Sequence, residues 1–218
     1  MKSAKHLVLL GLLTAILIVF SFTPIGSIPV GPLVITLNII PVAIAAVAMG
    51  PAGGAAMGAV FGLLSFLQCL GIGVPSGMGA VLFGINPFLA FIQRFIPRVL
   101  DGLLVGFIFR WCDKGLGHGP ASFIAGFCSA FLNTLFFMGF IVLFFYQTEF
   151  VQNMAANKGA MNPLMFVVLV VGVQGLIEWA TGLVVGGAVA KGVAHALKRD
   201  LPAPKQTAEP AAEEPKGE

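Results

Sequence analysis

Apolar runs long enough to cross a lipid bilayer follow one another along this chain, and they constrain its fold more than any motif does. The first, Leu7 to Phe22, carries no charged side chain. Five breaks separate six such segments: about Lys5–Phe22, Val34–Met49, Ala52–Leu70, Pro87–Arg110, Ala121–Tyr146 and Pro163–Leu197. A helix needs roughly 20 mostly apolar residues to cross a bilayer. With 58% hydrophobic residues, 10% charged residues and a mean hydropathy of +0.99, a 218-residue chain has too little charge to keep a soluble surface in water. The expected architecture is therefore an all-α integral membrane protein, with six transmembrane helices in a compact bundle over residues 1–199.

The ends are distinct. Met1-Lys2-Ser3-Ala4-Lys5-His6 ahead of an apolar run resembles a secretory signal, but the run leads into Thr23-Pro24-Ile25-Gly26 without an A-x-A cleavage pattern. A retained first helix is the expectation. Residues 200–218 mix Pro, Ala, Glu and Lys and bury too little apolar surface to offset ordering entropy, so a disordered tail is expected there.

Orientation follows from the basic residues. Lys2 and Lys5 precede the first span, Arg110 and Lys114 lie between the fourth and fifth, and Lys191, Lys198 and Arg199 end the sixth. With six spans these clusters share one face, which makes that face and both termini cytoplasmic. This bias accounts for the net charge of +3 without nucleic acid. The connections on the outer face, Pro24–Leu33, Gly71–Asn86 and Gln147–Asn162, are long and rich in Gly, Pro and Asn, as a lid or a plain connector would be.

Small residues recur every four positions: Gly11 and Ala15; Gly54, Gly58 and Gly62; Gly102 and Gly106; Gly182, Gly186 and Ala190. In lipid, close approach over small residues drives helix packing. The later sets read as contacts within the chain, whereas Gly11 and Ala15 are also suited to facing another subunit.

Ionisable groups at membrane depth are expensive and mark candidate sites. Arg94, Arg98 and Asp101 share one face of the fourth span. A rise of about 1.5 Å per residue puts Arg98 about 18 Å from the cytoplasmic end, level with Asn133 on the fifth span. Gln174 and Glu178 share a face of the sixth. These groups converge on the outer half of the bundle, as a polar pocket for a small solute would. The planar fork of Arg98 suits a substrate carboxylate, or else Arg98 pairs with Asp101 one turn below. Arg94, nearer the surface, is expected to snorkel there.

Catalytic and metal motifs are lacking. There is no G-x-x-x-x-G-K-[ST], H-E-x-x-H or G-x-S-x-G, and Cys69, Cys112, Cys128, His6, His118 and His195 have no ligand spacing. No cofactor, metal or catalytic residue is expected.

Several short motifs occur in a telling order. Ile28-Pro-Val-Gly-Pro-Leu-Val-Ile-Thr-Leu-Asn38-Ile-Ile-Pro41 is followed by Gly50-Pro51 and by Gly58-x-x-Phe61-Gly62-Leu63-x-Ser65-Phe66. Asn86-Pro87, Pro97-Arg98-Val99-Leu100-x-Gly102, Asn133-Thr134 and Gly175-Leu176-Ile177-Glu178 come after. Together they resemble the substrate-binding S components of energy-coupling factor (ECF) vitamin transporters, over about Lys5 to Leu197. The resemblance implies a six-helix subunit in the plasma membrane of a prokaryote that captures a water-soluble vitamin from outside. It also implies partnership with a membrane coupling (T) subunit and two ABC-type ATPases that supply the ATP hydrolysis.

The Asn-Pro and Pro-Arg pairing is most similar to the pantothenate-type branch, with Arg98 for the carboxylate and Asn86, Asn133 and Gln174 for the polar remainder. Asn38 and Glu178 complete the candidate substrate-binding set, and Gly11 with Ala15 matches the family's coupling-subunit contact. Asp101 departs from that branch, where an apolar residue is expected. Riboflavin, folate or another micronutrient is the alternative ligand. Other readings are a stand-alone ion-coupled transporter, for which no broken helix is evident, and an intramembrane enzyme, which lacks a second catalytic partner.

Overall fold

A computed structural model describes residues 2–24, 26–30 and 33–199. The tail expected to be disordered lies outside the described residues. Helix α1 (Lys2–Phe22) leads to an antiparallel hairpin of β1 (Ser27–Val30) and β2 (Leu33–Thr36), in which Ile28 pairs with Ile35. Then come α2 (Ile39–Met49), α3 (Pro51–Cys69), α4 (Gly77–Ile85), α5 (Pro87–Leu116), α6 (His118–Phe145), α7 (Glu149–Asn157) and α8 (Pro163–Thr181). A π-helical turn at Gly182–Gly186 joins α8 to α9 (Gly187–Arg199).

Apart from the hairpin, the described residues are mainly helical, but the helices are less uniform than expected. Among the described residues, four stretches are long and apolar enough to cross a membrane: Ala4–Phe22, Pro51–Cys69, His118–Phe145 and Gln174–Val193. Helix α5 has 30 residues, but its buried charges lower its apolar character. Helix α2 has only 11 residues, about 17 Å of rise, because β2 takes the segment before Asn38. Its stretch Ile39–Val47 is buried throughout, so α2 is a central strut wrapped by other helices. Each long connection also carries structure of its own: the hairpin in the first, α4 in the second and α7 in the third.

Local chemistry explains these starts and stops. Pro51, Pro87 and Pro163 open α3, α5 and α8, where a missing N–H costs nothing. The side chains of Ser76, Asn86, Thr148 and Asn162 accept from the first turns of α4, α5, α7 and α8. The α2–α3 turn is made at Gly50, whose φ of 78° favours glycine.

The expected single last helix from Pro163 to Leu197 is broken. Gly172 adopts φ 42° and ψ −138°, values open to glycine alone among common residues. Lower down, the π turn coincides with a place where a Cβ on Gly182 would meet the carbonyl of Gly126 on α6. Periodicity of apolar residues continues across both irregularities, so the sequence pattern does not reveal them.

Helices α3 and α5 pack with backbones in contact. A Cβ on Gly54 would strike the carbonyl of Gly102, one on Gly58 the carbonyl of Arg98, and one on Gly62 would lie 2.9 Å from Cα of Phe95. The expected glycine faces therefore pack within the chain. Pro97 sits inside α5 and withholds the donor that would satisfy the carbonyl of Gln93. Two apolar clusters flank the bundle's middle. One gathers Val42, Ile44, Met57, Phe61, Val105 and Ala125; the other gathers Met78, Leu82, Met138, Ile141, Phe145 and Phe166. Large apolar side chains such as Leu7, Leu143 and Val168 face outward, as lipid contact requires.

Substitution tests the α3–α5 contact. Gly58→Ala must displace helix backbone and is expected to destabilise by about 1–3 kcal/mol or more. Gly84, with nothing within 4 Å of an added Cβ, should tolerate Ala within about 0.5 kcal/mol. Thermal unfolding of the two variants in detergent measures the difference.

Candidate functional site

Between the two apolar clusters lies a cavity of about 70 Å³, partly open to solvent and lined by polar and apolar groups together. Its walls come from Thr36 of β2; Phe61, Ser65 and Gln68 of α3; Ser76 and Met78 around the start of α4; Arg94 and Arg98 of α5; Asn133, Thr134 and Phe137 of α6; and Gln174 and Glu178 of α8. Phe61 belongs to one cluster and Met78 to the other, so the cavity opens where the core divides.

Helix α5 supplies the positive charge. Arg98 is 5% exposed, and its guanidinium lies 4.4 Å from the ring centroid of Phe137 and 5.1 Å from that of Phe61. A cation over an aromatic face gains about 2 kcal/mol or more when desolvated. Its Nε and Nη1 have no hydrogen-bond partner, and no carboxylate lies within 4 Å of it among the described residues. The ion pair with Asp101 weighed from sequence is therefore not formed. Asp101 is fully buried outside the cavity lining, where Oδ2 accepts from the Ser129 hydroxyl at 3.3 Å.

Arg94 does not snorkel. It is 5% exposed and donates to Ser76 Oγ at 2.9 Å and to Ser65 Oγ at 3.4 Å, with its guanidinium 4.9 Å from the Phe137 ring centroid. The start of α4 folds over it. A Cβ on Gly79 would sit 2.6 Å from Nη2, so glycine makes the space through which the arginine passes. Sequence depth alone does not reveal this cover, because it depends on where a short connecting helix lands.

Opposite the arginines stands Glu178. Oε1 accepts the backbone N–H of Thr36 at 2.9 Å, and Oε2 accepts from Thr134 Oγ1 at 3.4 Å. The carboxylate thus ties the hairpin to α8 and α6 at the cavity wall. The break at Gly172 lies just above Gln174, and the segment after it carries Gln174 and Glu178 on one face, with both lining the cavity.

Of the candidate residues, Arg98, Asn133, Gln174 and Glu178 come together here. Asn86 and Asn38 are not among the lining residues. Asn86 caps α5, its Oδ1 accepting the Leu89 N–H at 3.1 Å. Asn38 is buried beside α1, donating from Nδ2 to Ser21 Oγ at 3.4 Å and from its backbone N–H to Thr36 Oγ1 at 3.2 Å. Gly11 and Ala15 lie on an exposed face of α1, and an added Cβ at Gly11 would meet nothing within 4 Å. Sequence reasoning missed Ser65, Ser76, Thr36 and the ring of Phe137. Ser65 and Gln68, three apart, did carry a signal, namely polar groups on one face of an apolar helix.

A cavity with a solvent-open side, aromatic walls, an unpaired guanidinium and separate acceptors can hold a small anionic, partly apolar solute. Comparison with known proteins accords with this chemistry. The family of ECF transporter substrate-specific components matches residues 5–186. The chain is similar to the pantothenate transporter PanT of Leuconostoc mesenteroides subsp. mesenteroides, 29% identical over 197 residues, which cover 86% of this chain and 91% of that protein. It is also similar to the pantothenic acid transporter PanT of Lactococcus lactis subsp. cremoris, 30% identical over 163 residues, covering 67% and 77% respectively. With the family's match running through every helix that builds the cavity, this multi-pass membrane protein belongs to the substrate-specific components of ECF transporters.

Proposed function

We propose that the chain captures pantothenate from the outer side of a prokaryotic plasma membrane and delivers it through an ECF importer. The carrying observation is the Arg98 guanidinium, buried between Phe61 and Phe137 with no anionic partner among the described residues. A buried unpaired cation is costly, and a ligand carboxylate is the partner that relieves it. Pantothenate has one carboxylate, two hydroxyls and an amide. Asn133, Gln174 and Glu178 offer acceptors and donors for the polar remainder, and Met138 and Val171 offer apolar wall for its methyl groups. The names of the two relatives support the same ligand.

In this reading six segments cross the bilayer: α1, α2 with the chain around it, α3, α5, α6, and α8 with α9. Both termini are cytoplasmic. Residues 1–199 form the membrane domain, and residues 200–218 are a cytoplasmic tail. The basic clusters at the N-terminus, at Arg110 and Lys114, and at Lys191 to Arg199 support this orientation. The exposed face of α1 at Gly11 and Ala15 suits docking of a coupling subunit, and two ABC-type ATPases hydrolyse the ATP. A second reading, a stand-alone ion-coupled transporter, draws on the break in α8 at Gly172, since broken helices often line transporter sites. Uptake into vesicles holding this chain without any ATPase would favour it.

Three outcomes test the first reading. Arg98→Ala should weaken pantothenate binding to purified protein by about 2–5 kcal/mol, while a neutral analogue is little affected; equal affinities for both proteins would make Arg98 structural. Glu178→Ala removes the acceptor of the Thr36 amide and should cost about 1–3 kcal/mol, read as faster hydrogen exchange at Thr36. Purified chain should show no ATP hydrolysis until partner ATPases are added.

A further inference from the structure

Asp101 has no task in the reading above, yet a carboxylate buried at membrane depth is expensive to keep. It is 0% exposed, stands outside the cavity lining and is held on one oxygen only, Oδ2, by Ser129 of α6. Its Oδ1 has no partner among the described residues. Three residues earlier on the same helix, Nε and Nη1 of Arg98 also lack partners. Two ionisable groups, each incompletely satisfied, thus sit one turn apart without pairing. Side chains three apart on a helix have Cβ atoms about 5–6 Å from each other, and an arginine spans that distance.

Arg98 therefore has two attractive positions. In one it lies over Phe61 and Phe137 and faces the cavity. The other, within an arginine's reach by helical spacing, would turn it back to Oδ1 of Asp101. Asn133, on α6 one turn from Ser129, lines the cavity with an unpartnered Oδ1 that is neutral and so attracts less. Arg94, committed to Ser65 and Ser76, adds positive charge near the first position and no relief.

We infer that Asp101 is a positioning residue that holds Arg98 in a fraction of ligand-free molecules, so that it competes with a ligand carboxylate for the guanidinium. The inference rests on the reading of Arg98 as the carboxylate partner. Ser129 fixes Asp101 in place and satisfies one of its oxygens, which weakens its hold on Arg98. Apparent affinity then equals intrinsic affinity multiplied by the fraction of empty molecules whose Arg98 already faces the cavity. A ligand without a carboxylate gains nothing from that fraction.

Calorimetric titration of the purified full chain with pantothenate and with pantothenol, in which a hydroxymethyl group replaces the carboxylate, tests this with opposite signs. Asp101→Asn removes the resting partner and should tighten pantothenate binding about 3- to 10-fold, leaving pantothenol unchanged. Ser129→Ala frees Asp101 to hold Arg98 and should weaken pantothenate by a similar factor, again with pantothenol unchanged. A purely packing role would move both ligands together, and that result overturns the inference. So does unchanged pantothenate affinity in both variants while wild type prefers pantothenate; that outcome leaves the reading of Arg98 intact. A wild-type chain that does not prefer pantothenate overturns both. Should Asp101→Asn fail to elute as a single species, the sign of the Ser129→Ala effect decides alone.

Discussion

The backbone contact between α3 and α5 is what the cavity stands on. Gly54 and Gly58 bring α3 against the carbonyls of Gly102 and Arg98, so Arg98 is anchored where Phe61, one turn above Gly58, stands beside its guanidinium. A methyl group at either glycine would force two helix backbones apart. Because lipid offers little hydrophobic drive between helices, such fit supplies the packing energy. Position and charge are therefore coupled: the small-residue face that holds the helices together also sets the depth of the buried cation.

Around that cation the protein arranges incomplete satisfaction. Arg94 is spent on two hydroxyls, Glu178 on a backbone amide and a hydroxyl, and Asp101 on Ser129. Arg98 is left with aromatic faces, which stabilise a cation without using its hydrogen-bond donors. In a low-dielectric setting the unmade bonds are the costly ones, and Arg98 and Asn133 carry such unmade bonds into the cavity. Stability is given up locally where a solute can restore it.

Glu178 links that chemistry to the hairpin. By accepting from Thr36 it joins the hairpin before α2 to the part of α8 that follows the break at Gly172. The break lets the lower segment set its own rotation, so Gln174 and Glu178 both reach the cavity. The π turn below restores packing on α6, where Gly126 and Gly182 touch.

By itself the sequence determined the membrane class, the positions of the apolar segments, the glycine faces, the family resemblance and the convergence of Arg98, Asn133, Gln174 and Glu178. Each of these follows from composition, from helical spacing or from depth along a helix, all of which are local or one-dimensional quantities. Only the tertiary structure decided that α2 is a short buried strut, that α8 breaks at Gly172, and that Arg94 is covered by α4 rather than at the surface. It also decided that Asn86 and Asn38 serve a cap and a buried contact, and that Asp101 turns to Ser129 instead of Arg98. Those outcomes depend on which connection folds over which helix and on which of two equally spaced partners is nearer in space, and spacing along the chain carries neither.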